Sequence, residues 1–120
     1  MISRLDPVKR VDLLLQSLEE NPDLRRIEVS VFGVGWNSDA LKERAARSGL
    51  NVNFEGFQGN TGERLAASDL LVHLCPVEPF GLAVLEAMAA RIPVLVPNSG
   101  AAAERTEPDY RAFQFGEADP

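Results

Sequence analysis

The chain has 120 residues, of which 45% are hydrophobic and 25% charged, a balance that suits one globular domain with a buried core and excludes wholesale disorder. Its net charge of −6 and its scattered basic residues, ten Arg and two Lys, argue against a nucleic-acid partner, since phosphate backbones are held by clustered cations. One Cys cannot form an internal disulfide, and no apolar run approaches the roughly 18 residues of a membrane-spanning helix, so we expect a cytoplasmic protein without a transmembrane segment.

Helical and strand-like segments alternate along the chain. The first helix is predicted over Val8–Glu19 from its apolar spacing and ends at Asn21-Pro22-Asp23. The later elements are a strand over Ile27–Phe32, a helix capped by Ser38 or Asp39 that ends at Arg47 before Gly49, a strand over Val52–Phe57, a short helix over Thr61–Ala67, a buried strand over Leu70–Leu74, a helix over Phe80–Ala90, a strand over Val94–Val96, a helical piece near Ala102 and a strand over Ala112–Phe115.

This order predicts an α/β fold, a Rossmann-like parallel sheet with helices on both faces that forms a three-layer sandwich, in a single domain over residues 1–120. Sheets of this kind bind ligands at the carboxyl ends of their strands. No credible strand precedes Arg4, although the first strand of such a sheet usually lies at its centre. We therefore expect either that Met1–Arg4 is a stub of that strand or that the chain is a fragment.

Two glutamates bracket the most informative stretch, Glu78-Pro-Phe-Gly-Leu-Ala-Val-Leu-Glu86. Glu86 is the only polar side chain between Pro79 and Ala90, so we expect it to be buried on folding and to meet either a protein group or the hydroxyls of a ligand. Eight helical positions differ by about 80° around the axis, which lets Glu78 and Glu86 face one cleft. The alternative is a capping Glu78 and a Glu86 paired with an Arg.

Three further patterns each allow a functional and a structural interpretation. Gly33-Val-Gly35-Trp-Asn-Ser38, with Glu55 ending the next strand, nearly fits the dinucleotide fingerprint but equally suits a plain strand-to-helix turn. His73 and Cys75 face the same way on a strand, and we favour a partly buried structural pair over a nucleophilic pair or a metal site. We expect no protein-bound metal and no cofactor.

Arg4 and Lys9 flank the first loop, just before a predicted helix. They are either solvated surface charges or a clamp for a diphosphate, in which Arg supplies a fork of donors and Lys a point charge. Their place in a strand-to-helix loop favours the clamp.

These motifs together resemble one known family. Ser3-Arg4-Leu5-x-x-x-Lys9, then Glu78-Pro-Phe-Gly-Leu-x-x-Leu-Glu86-Ala-Met-Ala and Pro93-Val94, are similar to the C-terminal donor-binding domain of retaining GT-B glycosyltransferases of the group 1 type. The resemblance covers nearly the whole chain and implies a nucleotide-sugar-binding domain that transfers a glycosyl group, from UDP- or GDP-sugars in polysaccharide biosynthesis, with retention of configuration. The acceptor-binding N-terminal domain of the family is absent from this sequence, so the isolated chain is expected to be inactive.

The resemblance also implies roles for individual residues. Arg4 and Lys9 would neutralise the diphosphate, Glu78 would contact the transferred sugar, and Glu86 would accept hydrogen bonds from the ribose. Backbone N–H groups around Phe80, Gly81 and Leu82 would help to hold the sugar, and the base would lie near Gly33 and Phe57.

The sequence departs from the family pattern at several glycines, which are replaced by Ser3, Arg10, Arg91 and Ala101. Two other functions stay open beside glycosyl transfer. One is a non-catalytic nucleotide-sugar-binding or interaction module, and the weaker one is an NAD-binding domain that uses Gly33, Gly35 and Glu55.

Overall fold

The computed structural model describes residues 9–35, 37–57, 59, 61–75, 82–98 and 112–115. Only the backbone is described for residues 112–115, Thr61 and Leu82. The described residues divide into two compact units, one that ends at Phe57 and one that begins at Gly59. Residues 1–8, 76–81, 99–111 and 116–120 and the single positions 36, 58 and 60 lie outside this description.

The first unit contains two parallel strands and two α-helices. Its elements are α1 (Val11–Glu20), a 3-10 helix (Pro22–Arg26), β1 (Val29–Phe32), α2 (Ser38–Arg47) and β2 (Val52–Gly56). Strands β1 and β2 pair from Val29 opposite Val52, with an irregularity between Val31 and Phe32. The core joins both helices to β1 through buried side chains, namely Val11, Leu15, Val31, Leu41 and Ala45.

The second unit contains a three-stranded parallel sheet in the order β3-β4-β5. Its elements are α3 (Thr61–Ala66), β3 (Leu71–Val72), α4 (Leu82–Ala89), β4 (Val94–Pro97) and β5 (Ala112–Phe115). Its core is formed by buried side chains of helices and strands, namely Leu65, Leu71, Val84, Ala87, Ile92, Val94 and Val96. The alternation of helices with short parallel strands confirms the α/β class.

Helices α2 and α4 end in the same hydrogen-bonded motif. After α2, Leu50 N donates to Ala45 O (3.1 Å) and Gly49 N donates to Ala46 O (3.2 Å). After α4, Ile92 N donates to Ala87 O (2.9 Å) and Arg91 N to Met88 O (3.0 Å). Both pairs are the bonds of a Schellman motif, which places one residue in the left-handed conformation: Gly49 at φ 65° and Arg91 at φ 61°.

The sequence predicted the end of α2 correctly but not its capping residue. Gly49 ends the helix as the sequence predicts, because its missing Cβ removes the steric cost of positive φ. The predicted cap is wrong, since α2 begins at Ser38 after Asn37, and no side-chain capping hydrogen bond forms there. The helical piece near Ala102 lies outside the described residues, and the predicted bounds of β5 are confirmed.

A carboxylate and an arginine join α1 to α2. Arg44 donates to both carboxylate oxygens of Glu19 at 2.9 and 2.7 Å, and Ser48 Oγ donates to Glu19 Oε1 at 2.8 Å. The hydrogen bonds from Arg44 and then Ser48 lower the pKa of Glu19 from 4.5 to about 2. Arg25 extends the cluster by donating to Ser48 O at 3.0 Å, which brings the 3-10 helix to the same place.

Candidate functional site

The carboxyl ends of β1 and β2 meet at two glycines. Gly33 N donates to Gly56 O at 2.8 Å, and both glycines have positive φ, 140° and 70°. The next residue after each glycine has an exposed apolar side chain: Val34 is 59% exposed and Phe57 is 82% exposed. Because β1 and β2 are parallel neighbours, these exposed side chains belong to one edge, which we call the Val34–Phe57 edge.

The structure therefore places two predicted base-binding residues, Gly33 and Phe57, at one strand edge. An exposed aromatic side chain is available for stacking on a flat ligand. Val34 is a residue that the sequence did not single out. Only its position, directly after Gly33 at the end of a predicted strand, could have pointed to it.

Glu86 is exposed, and the prediction that it is buried is wrong. Helix α4 packs Val84 and Ala87 fully into the core, at 0% exposure. Glu86 and Ala89 lie three positions apart on the opposite, exposed face. An apolar run of eight residues therefore does not bury every position, because one helix covers a sheet with one face only. The carboxylate that the sequence analysis expected inside the protein is exposed at the surface of α4.

Lys9 and Arg10 immediately precede α1, and both are partly buried. The carbonyl of Arg10 accepts hydrogen bonds from Leu13 N (3.1 Å) and Leu14 N (3.4 Å), which fixes Arg10 at the start of the helix. Arg10 has φ 60° and ψ 37°, a left-handed conformation that is uncommon for an arginine. Sequence reasoning noted Arg10 only as a replacement of glycine.

Several predicted site residues lie outside the described residues, namely Arg4, Glu78, Phe80 and Gly81. Leu82 is the first residue of α4, and its side chain is likewise outside the description. Their roles stay predictions.

His73 and Cys75 are buried, at 5% and 2% exposure, in the residues that follow β3. His73 N donates to Leu95 O at 2.9 Å, which continues the pairing of β3 with β4 beyond Val72. Their burial agrees with the structural interpretation of the pair. Within the described ranges, no three His, Cys, Asp or Glu side chains are grouped closely enough to hold a metal ion.

A groove of about 590 Å³ lies between α2 and β2 in the first unit. Its lining is partly apolar, with Ala45, Leu50 and Phe54, and partly charged, with Lys42 and Glu55. Neither Val34 nor Phe57 lines the groove, and the sequence analysis singled out only Glu55 among the residues that do. No helix among the described residues is long and apolar enough to cross a membrane.

A family model described as glycosyl transferases group 1 matches residues 1–119. Among curated proteins, the chain is 36% identical over 92 residues to the lipopolysaccharide glucosyltransferase WaaG of Escherichia coli, an alignment that covers 72% of this chain and 24% of that protein. The chain thus spans about a quarter of the length of this curated relative. The resemblance read from the motifs is confirmed.

Solved structures give the same result. The structure of Anabaena Alr3699/HepE in complex with UDP matches with a TM-score of 0.83 at 30% identity, over 96% of this chain and 33% of that one. TarM matches with a TM-score of 0.88 at 23% identity, over 99% of this chain and 25% of that one, a likeness that shows the fold alone.

Proposed function

The chain belongs to the glycosyl transferases group 1 family, and from this membership we propose that it binds a nucleotide-diphosphate sugar as the donor for glycosyl transfer. The observation that carries the proposal is the exposed carboxylate of Glu86 on the otherwise apolar helix α4. The structure of HepE with UDP-glucose supports this donor class, at 30% identity to this chain. Because the chain covers a third or less of these relatives, the complete reaction is part of the proposal.

We propose that Glu86 accepts hydrogen bonds from the ribose hydroxyls of the donor. A carboxylate has no hydrogen to donate and two oxygens that accept, so it suits a pair of hydroxyl groups. A charge-assisted hydrogen bond contributes about 1.5–3 kcal/mol, and its loss weakens binding roughly tenfold or more.

The Val34–Phe57 edge is the proposed place of the base. Phe57 is 82% exposed, so a base that stacks on its ring removes apolar area from water without disturbing the core. The backbone near Gly33 admits a close approach, since glycine has no Cβ.

The remaining roles rest on the family resemblance. Arg4 and Lys9 are proposed to neutralise the diphosphate without a protein-bound metal, and Glu78 and the backbone N–H groups of Phe80–Leu82 to hold the sugar. In the retaining reaction, the bond from the anomeric carbon to the diphosphate oxygen breaks and the bond to the acceptor oxygen forms on the same face. The proton of the acceptor hydroxyl passes to the departing diphosphate oxygen, which leaves as the nucleoside diphosphate. Cations that clamp the diphosphate stabilise its negative charge as it departs.

We propose a place for this reaction in cytoplasmic polysaccharide biosynthesis, together with an N-terminal acceptor-binding domain. The isolated chain is then expected to bind the donor but not to turn it over. The alternative, a non-catalytic binding module, would bind the donor in the same way. The two alternatives differ once the chain is joined to an acceptor-binding domain, because an enzyme domain then transfers the glycosyl group and a module does not.

Titration of the chain with UDP, GDP and their 2′-deoxy forms, followed by calorimetry, tests the donor and the Glu86 contact together. Wild type should bind one of the ribonucleotides more tightly than its 2′-deoxy form. In Glu86→Ala this preference should disappear, because the variant has lost the acceptor for the hydroxyl. Glu43→Gln, which removes an exposed charge on α2, is the matched control and should keep the preference.

The other outcomes are equally specific. A 2′-hydroxyl preference that persists in Glu86→Ala contradicts the ribose contact. NAD binding that is lost in Glu55→Ala favours the dinucleotide alternative instead. For the base, Phe57→Ala should weaken binding, whereas Ile27→Ala, which removes a half-exposed side chain before β1, should not. Nucleotide binding that collapses in EDTA would contradict the metal-free clamp.

A further inference from the structure

The groove between α2 and β2 runs along one edge of the sheet in the first unit. The consecutive residues Val52–Glu55 line it, and their side chains point alternately to the two faces of β2. None of its described lining residues belongs to β1, so the groove lies on the side of β2 that faces away from β1. Among the strands that the structure describes, β2 pairs with β1 alone.

The backbone of β2 presents hydrogen-bonding groups along this outer edge. Val29 of β1 lies opposite Val52, and Val29 N donates to Asn51 O at 3.0 Å. In a parallel ladder a residue bonds to the two neighbours of the residue opposite it, so the N–H and C=O groups of Val52 itself point to the other edge. The same alternation applies to Phe54, which lies opposite Val31. Such a row of outward backbone groups is a template for a further strand.

The side chains of β2 are arranged symmetrically about Asn53. Val52 and Phe54 pack against the core of the first unit, and Asn53 between them is exposed on the opposite face. A second copy placed antiparallel about a two-fold axis at Asn53 would set Val52 opposite Phe54 in both halves of the contact. Apolar side chains then meet on one face and the Asn53 side chains on the other, while the outward backbone groups form hydrogen-bonded pairs.

The charge and size of the groove lining also fit a second copy. The lining has one charged side chain of each sign, Lys42 and Glu55, so two joined grooves contain equal numbers of cations and anions. A strand of strong single charge gains no net attraction from such a lining. The groove side of α2 is otherwise small, with Ala45 and Ala46, which leaves room beside β2 for a neighbouring strand.

We propose that the outer edge of β2 is a self-association surface, through which two copies of this chain pair antiparallel about a two-fold axis at Asn53. The two β1–β2 sheets then form one continuous sheet. This inference does not depend on nucleotide binding, because it uses neither Glu86 nor the Val34–Phe57 edge. A contact through one short strand is small, so the dimer is weak and reversible.

Sedimentation equilibrium of the 120-residue chain, from micromolar to millimolar concentration, tests the association. The mass of wild type should rise above the 13.1 kDa of one chain toward twice that value. Asn53→Lys brings two like charges together at the axis and should weaken dimerisation by about tenfold. Asn51→Lys is the matched control, since it changes another exposed Asn that would lie opposite Glu55 of the second copy, and it should not weaken dimerisation.

Disulfide trapping tests the position of the axis. In an antiparallel pair, two residues opposite each other without mutual hydrogen bonds have Cα atoms about 4.5 Å apart, within the range of a disulfide. Under mild oxidation, Asn53→Cys should therefore form a covalent dimer about tenfold faster than Asn51→Cys, whose two copies lie on opposite sides of the axis. Wild type is the blank, because its Cys75 is buried.

Three results would overturn the inference. A wild type that stays monomeric at millimolar concentration excludes self-association and points to a strand of a different protein as the occupant of the groove. An equal loss of dimer in Asn53→Lys and Asn51→Lys shows that association follows net charge or uses another surface. Equal trapping at positions 51 and 53 excludes the two-fold axis at Asn53, whether or not the lysine variants fold.

Discussion

Replacing Arg91 by glycine should raise the free energy of unfolding, because the Schellman motif after α4 holds Arg91 at φ 61°. The left-handed conformation costs an L-residue roughly 1–2 kcal/mol, which glycine avoids. Glycine also loses more conformational entropy on folding, which offsets roughly 0.4–1 kcal/mol of that gain. The side chain of Arg91 is exposed, and an exposed charge contributes little. The expected net increase is about 0.5–1 kcal/mol.

Gly49 provides the reverse substitution in the same motif. It follows α2 at φ 65°, and a Cβ added there would meet no atom within 4 Å. Gly49→Ala therefore tests the backbone conformation without a steric clash and should lower the free energy of unfolding by about 1 kcal/mol. The two variants change the left-handed position of the same motif in opposite directions, one by removing a Cβ and the other by adding one.

Urea denaturation followed by circular dichroism measures both effects. With a slope of about 1–3 kcal/mol per molar urea, Arg91→Gly should move the midpoint upward by about 0.3 M and Gly49→Ala downward by a similar amount. An Arg91→Gly variant that is less stable than wild type would refute the reasoning, because the side-chain contacts of Arg91 would then outweigh the backbone cost. A Gly49→Ala variant as stable as wild type would independently refute the cost assigned to the left-handed conformation.

Three further predictions concern stability and reactivity. Because the pKa of Glu19 falls from 4.5 to about 2 on folding, its ion pair with Arg44 stabilises the chain fully above pH 4.5 and is lost as the pH falls through about 2. The difference between the urea midpoints of wild type and Glu19→Gln should therefore shrink steadily from about pH 5 to below about pH 2, and a constant difference would contradict the assignment. Leu15→Ala, at a fully buried position of α1, should cost about 2–5 kcal/mol in urea denaturation, whereas Leu70→Ala at 42% exposure should cost much less. The buried Cys75 should react with a thiol reagent only as fast as the chain opens, so fast labelling under native conditions would contradict its burial.

Local sequence patterns predicted most of the helices and strands. Apolar spacing predicted α1 to within three residues, and β-branched composition predicted β1 and β4 to within two. The bounds of β5 and the end of α2 at Gly49 were predicted correctly. These features depend on neighbouring residues, whose spacing and backbone preferences are visible in a sequence.

Contacts between distant residues were not predictable. Glu19 and Arg44 are 25 positions apart, and the sequence offers many other acids and bases as partners. The same holds for Val34, which the sequence did not single out and which lies at one edge with Phe57 because β1 pairs with β2 in parallel. In each case the partner is chosen by packing and strand order, not by local pattern.

The sequence by itself determined that the chain is an α/β protein and, through Glu78–Glu86 and Pro93-Val94, that it resembles glycosyltransferases. Tertiary structure decided which face of α4 is covered: Val84 and Ala87 enter the core, and Glu86 remains exposed. It also decided that Arg10 is left-handed, a conformation that no arginine prefers by itself. The reason is the same in both cases, because burial and backbone strain depend on what the rest of the fold places around a residue.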